Sequence, residues 1–159
     1  MYCTHYGEIA FEKAKKFANR TALKYRDNVS GVWKDITWGS LAKQVRIIAK
    51  ALIEMGVKEE ERVALFSQNM ADMVAVDLAC QAVRATAVPL YATSSASQVD
   101  FIVNDAEIKL LFAGEQLQYD VATQVLEKSN FLKKIVAVDS NIHLRGIDSS
   151  ISFEDFMKH

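Results

Sequence analysis

The chain has 159 residues, of which half are hydrophobic and a quarter are charged, and its formal net charge is −1. This composition is typical of one globular domain, 1–159, with a core of its own. Neither a nucleic-acid partner nor a face that binds an anionic membrane is expected, because both need clustered Lys and Arg, and the one dense basic stretch, Lys13, Lys15 and Lys16, is interpreted as the solvated side of a helix. No apolar run reaches the ~18 residues that a membrane span requires. Two cysteines, Cys3 and Cys80, lack the spacing of a disulfide framework, which favours a reducing, cytoplasmic setting.

Residues 1–60 are predicted to form a helix, a hairpin and a second helix. Apolar residues recur at helical spacing over 8–18 and 38–55. Thr37 is a suitable N-cap for the second helix, and Gly56 a suitable stop. The extended runs TALKYR (21–26) and VWKDITW (32–38) flank the turn-rich DNVSG, which predicts a β-hairpin.

Residues 61–140 alternate between short apolar strands and helices. The predicted strands are 62–67, 86–91, 109–113 and 134–138. The predicted helices are 69–84 with Asn69 as N-cap, 96–106, and 116–129. Continuously apolar strands alternating with helices indicate an α/β fold with a mainly parallel sheet covered on both faces. Pro89 belongs near a strand end, an edge or a bulge. Residues 141–159 are assigned to a tail.

A loop of small hydroxyl residues follows the strand that ends near Tyr91. Ligands of open α/β sheets gather at the carboxyl ends of strands, so Tyr91 and Thr93 lie where a ligand could bind. A phosphate-binding loop, however, needs glycines and usually a Lys, and residues 91–98 contain neither. Ser95 and Gln98 instead form a capping-box pattern, so the loop is predicted to start a helix.

Other catalytic and binding patterns are missing from the sequence. The six glycines do not form either nucleotide-binding fingerprint, and His5, His143 and His159 are far apart in the chain. A phosphorylatable receiver domain would need acidic residues after the first parallel strand to hold Mg²⁺. This chain has Ser67, Gln68 and Asn69 there, and Asp139 is a single acidic residue after a later strand. We therefore expect no catalytic residue, metal site or cofactor in this chain.

The order of several blocks nevertheless resembles a known family. RTALKYRD, WKDITWGSLAKQVRIIAKALIEMGVKEEERVALFSQN and AVPLYATSSASQVDFIVNDAEIKLLFAG are similar to the opening segment of AMP-forming acyl-CoA synthetases, in the adenylate-forming superfamily. The segment VPLYATSSASQVDFIVNDA is most similar to bacterial long-chain fatty-acid–CoA ligases. The resemblance runs from about residue 8 to the end of the chain. It implies a partial N-terminal subdomain of the synthetase fold.

The resemblance implies a parent enzyme that converts ATP, a fatty acid and CoA into acyl-CoA, AMP and pyrophosphate through an acyl-adenylate. Its ATP loop, Mg²⁺ site and catalytic Lys would lie beyond His159, so this chain is expected to be an inactive scaffold. Tyr91, Thr93 and Ser94 are at most residues of a pocket edge. The expected partners are the rest of the polypeptide and the parent's fatty acid, ATP and CoA. Self-association of the chain and peripheral membrane contact of the parent are further expectations.

One departure and two alternatives accompany this interpretation. The family commonly has Gly-Ala before the VPL strand, where this chain has Arg84 and Ala85, so the turn there is expected to be built differently. The first alternative is a stand-alone α/β module that binds a small ligand or regulates a partner. The second is an adenylate-forming enzyme that acts on a different acid.

Overall fold

A five-stranded parallel sheet and a separate hairpin organise the chain, and the computed structural model describes residues 5–27 and 30–159. Cys3 and residues 28 and 29, which belong to the predicted turn, lie outside these ranges. A 3₁₀ turn, Tyr6–Glu8, opens the fold. The helices are α1 Ile9–Phe17, α2 Trp38–Glu54, α3 Ala71–Ala82, α4 Ala96–Asp105, α5 Gln116–Leu126 and α6 Phe153–Phe156. The strands are β1 Thr21–Arg26, β2 Trp33–Thr37, β3 Arg62–Phe66, β4 Thr86–Leu90, β5 Leu110–Ala113, β6 Lys134–Ala137 and β7 Ser150–Ser152.

The parallel sheet has the strand order β4-β3-β5-β6-β7, and helices cover both of its faces. Successive side chains of a strand point to opposite faces. On β5, Phe112 therefore joins the core formed with α1, α2, α3 and α6, whereas Leu111 and Ala113 join the core formed with α4 and α5. All four β5 residues are buried, which explains why its sequence is a continuous apolar run. The predicted fold class is confirmed.

The hairpin and α2 form the N-terminal part of the fold as predicted. β1 and β2 pair antiparallel, and Thr37 caps α2 by accepting a hydrogen bond from the Ser40 amide at 3.2 Å. The helix buries one face, which includes Leu41, Val45 and Ile48. Gly56 follows with φ of +84°, the left-handed conformation that ends a helix.

The segment assigned to a tail adds the last strand and helix. Phe153 and Phe156 of α6 contact Phe112 edge-on, with ring centroids 6.4 and 5.2 Å away. On the other face, the hydroxyl groups of Tyr119 and Ser150 lie 2.9 Å apart in a buried hydrogen bond. The segment is therefore packed against both cores.

The start of α3 and the position of Pro89 can be compared with the sequence predictions. α3 begins at Ala71 with Met70 as N-cap, so the prediction of Asn69 in that role is wrong. Met70 packs against the core, and its extended backbone, with φ of −124° and ψ of 144°, makes it the last residue before the helix. Pro89 lies on β4, an edge strand, and is exposed, as its missing N–H predicted.

The turn between α3 and β4 places a non-glycine residue in the left-handed region. Arg84 has φ of +62°, and its carbonyl accepts a hydrogen bond from the Glu60 amide at 2.8 Å. Its guanidinium pairs with Glu59 at 3.3 Å on the surface, where such a pair contributes little. Because this chain has Arg84 where the resembled family commonly has Gly, a Cβ atom is present at a backbone conformation that disfavours it.

We expect Arg84→Gly to stabilise the protein by about 1 kcal/mol, because glycine adopts this φ without the steric cost. Urea unfolding followed by circular dichroism would measure the change. Arg84→Ala is the matched control, since it removes the same ion pair but keeps the strained Cβ. A gain of equal size in both variants would contradict the backbone explanation.

Candidate functional site

The carboxyl edge of the parallel sheet is the place where this strand order usually binds a ligand. When β3 to β7 are numbered 1 to 5 in chain order, they lie side by side in the sheet in the order 2-1-3-4-5. In sheets of this order the crevice lies at the switch point between strands 1 and 3, which are β3 and β5 here. Here that crevice is closed. A Cβ atom on Gly114 would lie 2.3 Å from Cβ of Ser67 and 3.0 Å from Sδ of Met70. The Gly114 amide also donates to the Phe66 carbonyl at 2.9 Å.

The loop after β4 starts a helix, as predicted. Ser95 accepts a hydrogen bond from the Gln98 amide at 3.4 Å, and its own amide donates to Gln98 Oε1 at 2.8 Å. The Ser94 amide donates to the Tyr91 carbonyl at 2.9 Å, which closes a turn. Thr93 is exposed, Ser94 is half-buried, and Tyr91 is 87% exposed. The structure thus places the three candidates together on one turn at the sheet edge.

Gln118 holds this turn in place, and sequence reasoning missed it. Its side chain is completely buried. Nε2 donates to the Ala92 carbonyl at 2.8 Å, and Oε1 accepts from the Glu115 amide at 3.1 Å. One amide group therefore joins the start of α5 to the loop after β4. The capping-box spacing of Glu115 and Gln118 was the available sequence signal.

The acidic residue after β6 serves a turn. Asp139 Oδ1 accepts from the backbone amide and from Nδ2 of Asn141, both at 2.8 Å. A cleft of about 260 Å³ lies between this turn and α6, and Ser152 and Glu154 are among its lining residues. Within residues 5–27 and 30–159, no three His, Cys, Asp or Glu side chains are grouped closely enough to hold a metal ion. The structure thus gives no support to the acidic cluster of a receiver domain.

Cys80 is a core residue. It is fully buried on α3, and burial raises the pKa of its thiol to about 12. A thiol in this state is a poor nucleophile, because the thiolate is the reactive form. None of the helices among the described residues is long and apolar enough to cross a membrane.

Comparison with known proteins identifies the family. Residues 10–154 match the family described as AMP-binding enzyme. The chain belongs to this family. The family predicted from the ordered sequence blocks is therefore confirmed.

Individual relatives of this chain differ greatly in length. The long-chain-fatty-acid–CoA ligase FadD15 of Mycobacterium tuberculosis is 42% identical over 89 residues, which are 56% of this chain and 15% of that protein. The uncharacterized protein Rv1549 of the same organism is 31% identical over 101 residues, 61% of this chain and 58% of that protein. Rv1549 is therefore much shorter than FadD15.

A solved structure shows the same fold. The anthranilate CoA ligase AuaEII, in complex with anthranoyl-AMP, superimposes with a TM-score of 0.83 and 18% identity. The alignment covers 97% of this chain and 28% of that one. The chain thus corresponds to a minor part of a larger ligase fold.

We expect Gln118→Leu to destabilise the protein by about 1–3 kcal/mol, because it removes the partners of two backbone groups from a buried position. Amide hydrogen exchange of Glu115 and Ser94 would become faster. Gln98→Leu is the control, since that side chain caps an exposed turn, and its cost is expected to stay below about 1 kcal/mol. Equal costs for the two variants would show that Gln118 does not pin the loop.

Proposed function

We propose that the chain is the N-terminal part of an AMP-forming acyl-CoA synthetase that activates a long-chain fatty acid in the cytoplasm. The 42% identity to FadD15 carries this proposal, since that relative is named a long-chain-fatty-acid–CoA ligase. The parent reaction would join fatty acid and CoA at the expense of ATP, with an acyl-adenylate as intermediate and Mg²⁺ as counter-ion of the phosphates. The rest of the polypeptide is then the chief partner of this chain.

The geometry of the carboxyl edge supports a scaffold role for this chain. The crevice at the switch point is filled by Ser67, Met70 and Gly114, so the described residues offer no cradle for a phosphate there. The turn that carries Tyr91, Thr93 and Ser94 is fixed by Gln118 and by the cap of α4. A rigid turn with an exposed aromatic side chain is suited to form one edge of a pocket completed by other residues.

A stand-alone module is the second candidate function. The short length of Rv1549 favours it, because that relative shows that a protein of this family need not have the size of FadD15. Such a module would bind a small ligand or regulate a partner without adenylation chemistry. A ligase for a different acid is a variant of the first candidate, and AuaEII shows that this fold is compatible with an aryl-acid ligase.

Sequencing the source gene beyond the codon for His159 separates the two candidates. A reading frame that continues into a loop rich in Ser, Thr and Gly and ending in Lys would support the ligase. A stop codon at that point would support the stand-alone module and overturn the ligase proposal.

We expect the 159-residue chain alone to show no fatty-acid-dependent exchange of pyrophosphate into ATP, because the described residues lack a phosphate cradle and a metal cluster. The assay would contain ATP, Mg²⁺ and palmitate, with intact FadD15 as positive control. Exchange above background that disappears without the fatty acid would contradict the scaffold role.

We also expect the chain to self-associate at high protein concentration, because large apolar side chains are exposed near the loop after β4. Tyr91 is 87% and Leu117 is 62% exposed. Sedimentation velocity over a concentration series at high salt would measure the association. Tyr91→Ser with Leu117→Ser should weaken it, whereas Ile53→Ser, at an equally exposed site on α2, should not. A monomer at every concentration would refute this expectation.

A further inference from the structure

The charge of the chain is divided unequally along its length. Residues 1–54 contain ten Lys and Arg against five Asp and Glu, whereas residues 55–159 contain nine against fifteen. The N-terminal third thus has a net charge of +5 and the remainder −6, and the overall value of −1 conceals both. Such asymmetry indicates an electrostatic partner for one part of the molecule.

The outer face of α2 concentrates three of these cations. Lys43, Arg46 and Lys50 have the spacing of one helix face, opposite the buried face, and all three are exposed. Across the part of the chain that the structure describes, none of them forms an ion pair. Arg46 lies over the Phe11 ring of α1, with Cζ 5.3 Å from its centroid, so this face adjoins α1.

The end of α1 adds a second group of cations. Lys13 Nζ and Arg20 Cζ lie 5.9 and 4.9 Å from the centroid of Phe17, and Lys16 is exposed beside them. The Gly39 amide donates to the Ala18 carbonyl at 2.9 Å, which holds the start of α2 against this end of α1. Lys13 and Arg20 thus lie over an aromatic ring and form no ion pair with a carboxylate among the described residues, which leaves their charge available to an external anion.

The pattern is different in the acidic part of the chain. There Arg62 and Lys109, at the amino ends of two strands, are paired with Glu107 at 3.4 Å and with Glu61 at 2.6 Å. Arg145 is likewise paired with Asp120 at 3.1 Å. Among the described residues, cations without an ion pair are thus more numerous in the N-terminal third, with seven, than in the acidic part, with four.

The hairpin that connects these helices presents an exposed tryptophan. Trp33 is 65% exposed and lies opposite Arg26 in the register of β1 and β2. Val32 beside it is also exposed. A tryptophan flanked by cations is typical of a surface that lies at the boundary between lipid headgroups and acyl chains.

We propose that an N-terminal basic surface binds an anionic lipid bilayer. The surface consists of Lys13, Lys16, Arg20, Lys43, Arg46 and Lys50, together with Trp33. Clustered Lys and Arg near an anionic bilayer are attracted to its surface potential, and an exposed tryptophan adds apolar contact at the headgroup level. Two clefts formed by the described residues lie elsewhere, at the two ends of the parallel sheet, and neither is lined by a residue of this surface. The proposal does not depend on ligase activity.

Co-sedimentation of the 159-residue chain with vesicles tests the proposal. We expect binding to phosphatidylcholine vesicles that contain phosphatidylglycerol, little binding to pure phosphatidylcholine, and loss of binding at high salt. The variant Lys43→Gln/Arg46→Gln/Lys50→Gln should bind about a hundredfold more weakly. The control variant Lys58→Gln/Lys128→Gln/Lys133→Gln removes the same charge from exposed lysines outside the surface and should bind as the wild type does.

Tryptophan fluorescence supplies a second readout that a general loss of stability would not imitate. Adding anionic vesicles should shift the emission of the wild type to shorter wavelength, and Trp33→Phe should abolish the shift while the half-buried Trp38 remains. Circular dichroism would confirm that each variant is folded.

Four results would overturn the proposal. One is the absence of binding to anionic vesicles, and a second is equal binding by the α2 variant and its control. Another is tighter, equally salt-sensitive binding of a single-stranded oligonucleotide, which would assign the surface to nucleic acid. The last is that the wild type binds no vesicles but forms a dimer at low salt, and that the α2 variant is monomeric. This would show that the basic surface binds the acidic part of a second copy.

Discussion

Burial of β5 on both of its faces is the constraint on which the rest of the structure depends. Phe112 needs cover on one side, and Leu111 and Ala113 need it on the other. Helices α4 and α5 supply one cover, and the N-terminal helices together with α6 supply the other. A strand buried in this way must be flanked by β3 and β6, because its backbone groups cannot reach water. The central position of β5 in the sheet and the two cores follow from this requirement.

The close packing that stabilises the sheet also restricts what this chain can do chemically. The switch point between β3 and β5 is filled by the contact of Gly114 with Ser67 and Met70. The polar groups of the carboxyl edge are engaged in capping and in fixing loops, as Gln118 and Asp139 show. The turn that carries Tyr91, Thr93 and Ser94 remains exposed at this edge. The carboxyl edge of the sheet therefore resembles one wall of a pocket.

The local elements were predictable because their signals are local. Thr37, Ser95 and Gly56 mark helix ends by their own chemistry, and the apolar periodicity of α2 is unambiguous. β7 and α6 were missed because SIS is too short to show a strand pattern, although Ser152 followed by Asp155 has the spacing of a cap. The closure at Gly114 depends on Ser67, which is distant in the chain, and no local pattern reports such a contact. The basic surface was also missed, because the balanced total charge hides where the charges lie.

Pro89 determines in which direction the sheet can grow. The Thr86 amide donates to the Glu61 carbonyl, so the backbone groups of Thr86, Val88 and Leu90 face β3, and by alternation those of Ala87 and Pro89 face outward. The free border of β4 thus lacks a donor where an incoming strand would need one. Additional strands of a longer polypeptide are therefore favoured beyond β7, and pairing of two chains through β4 is disfavoured.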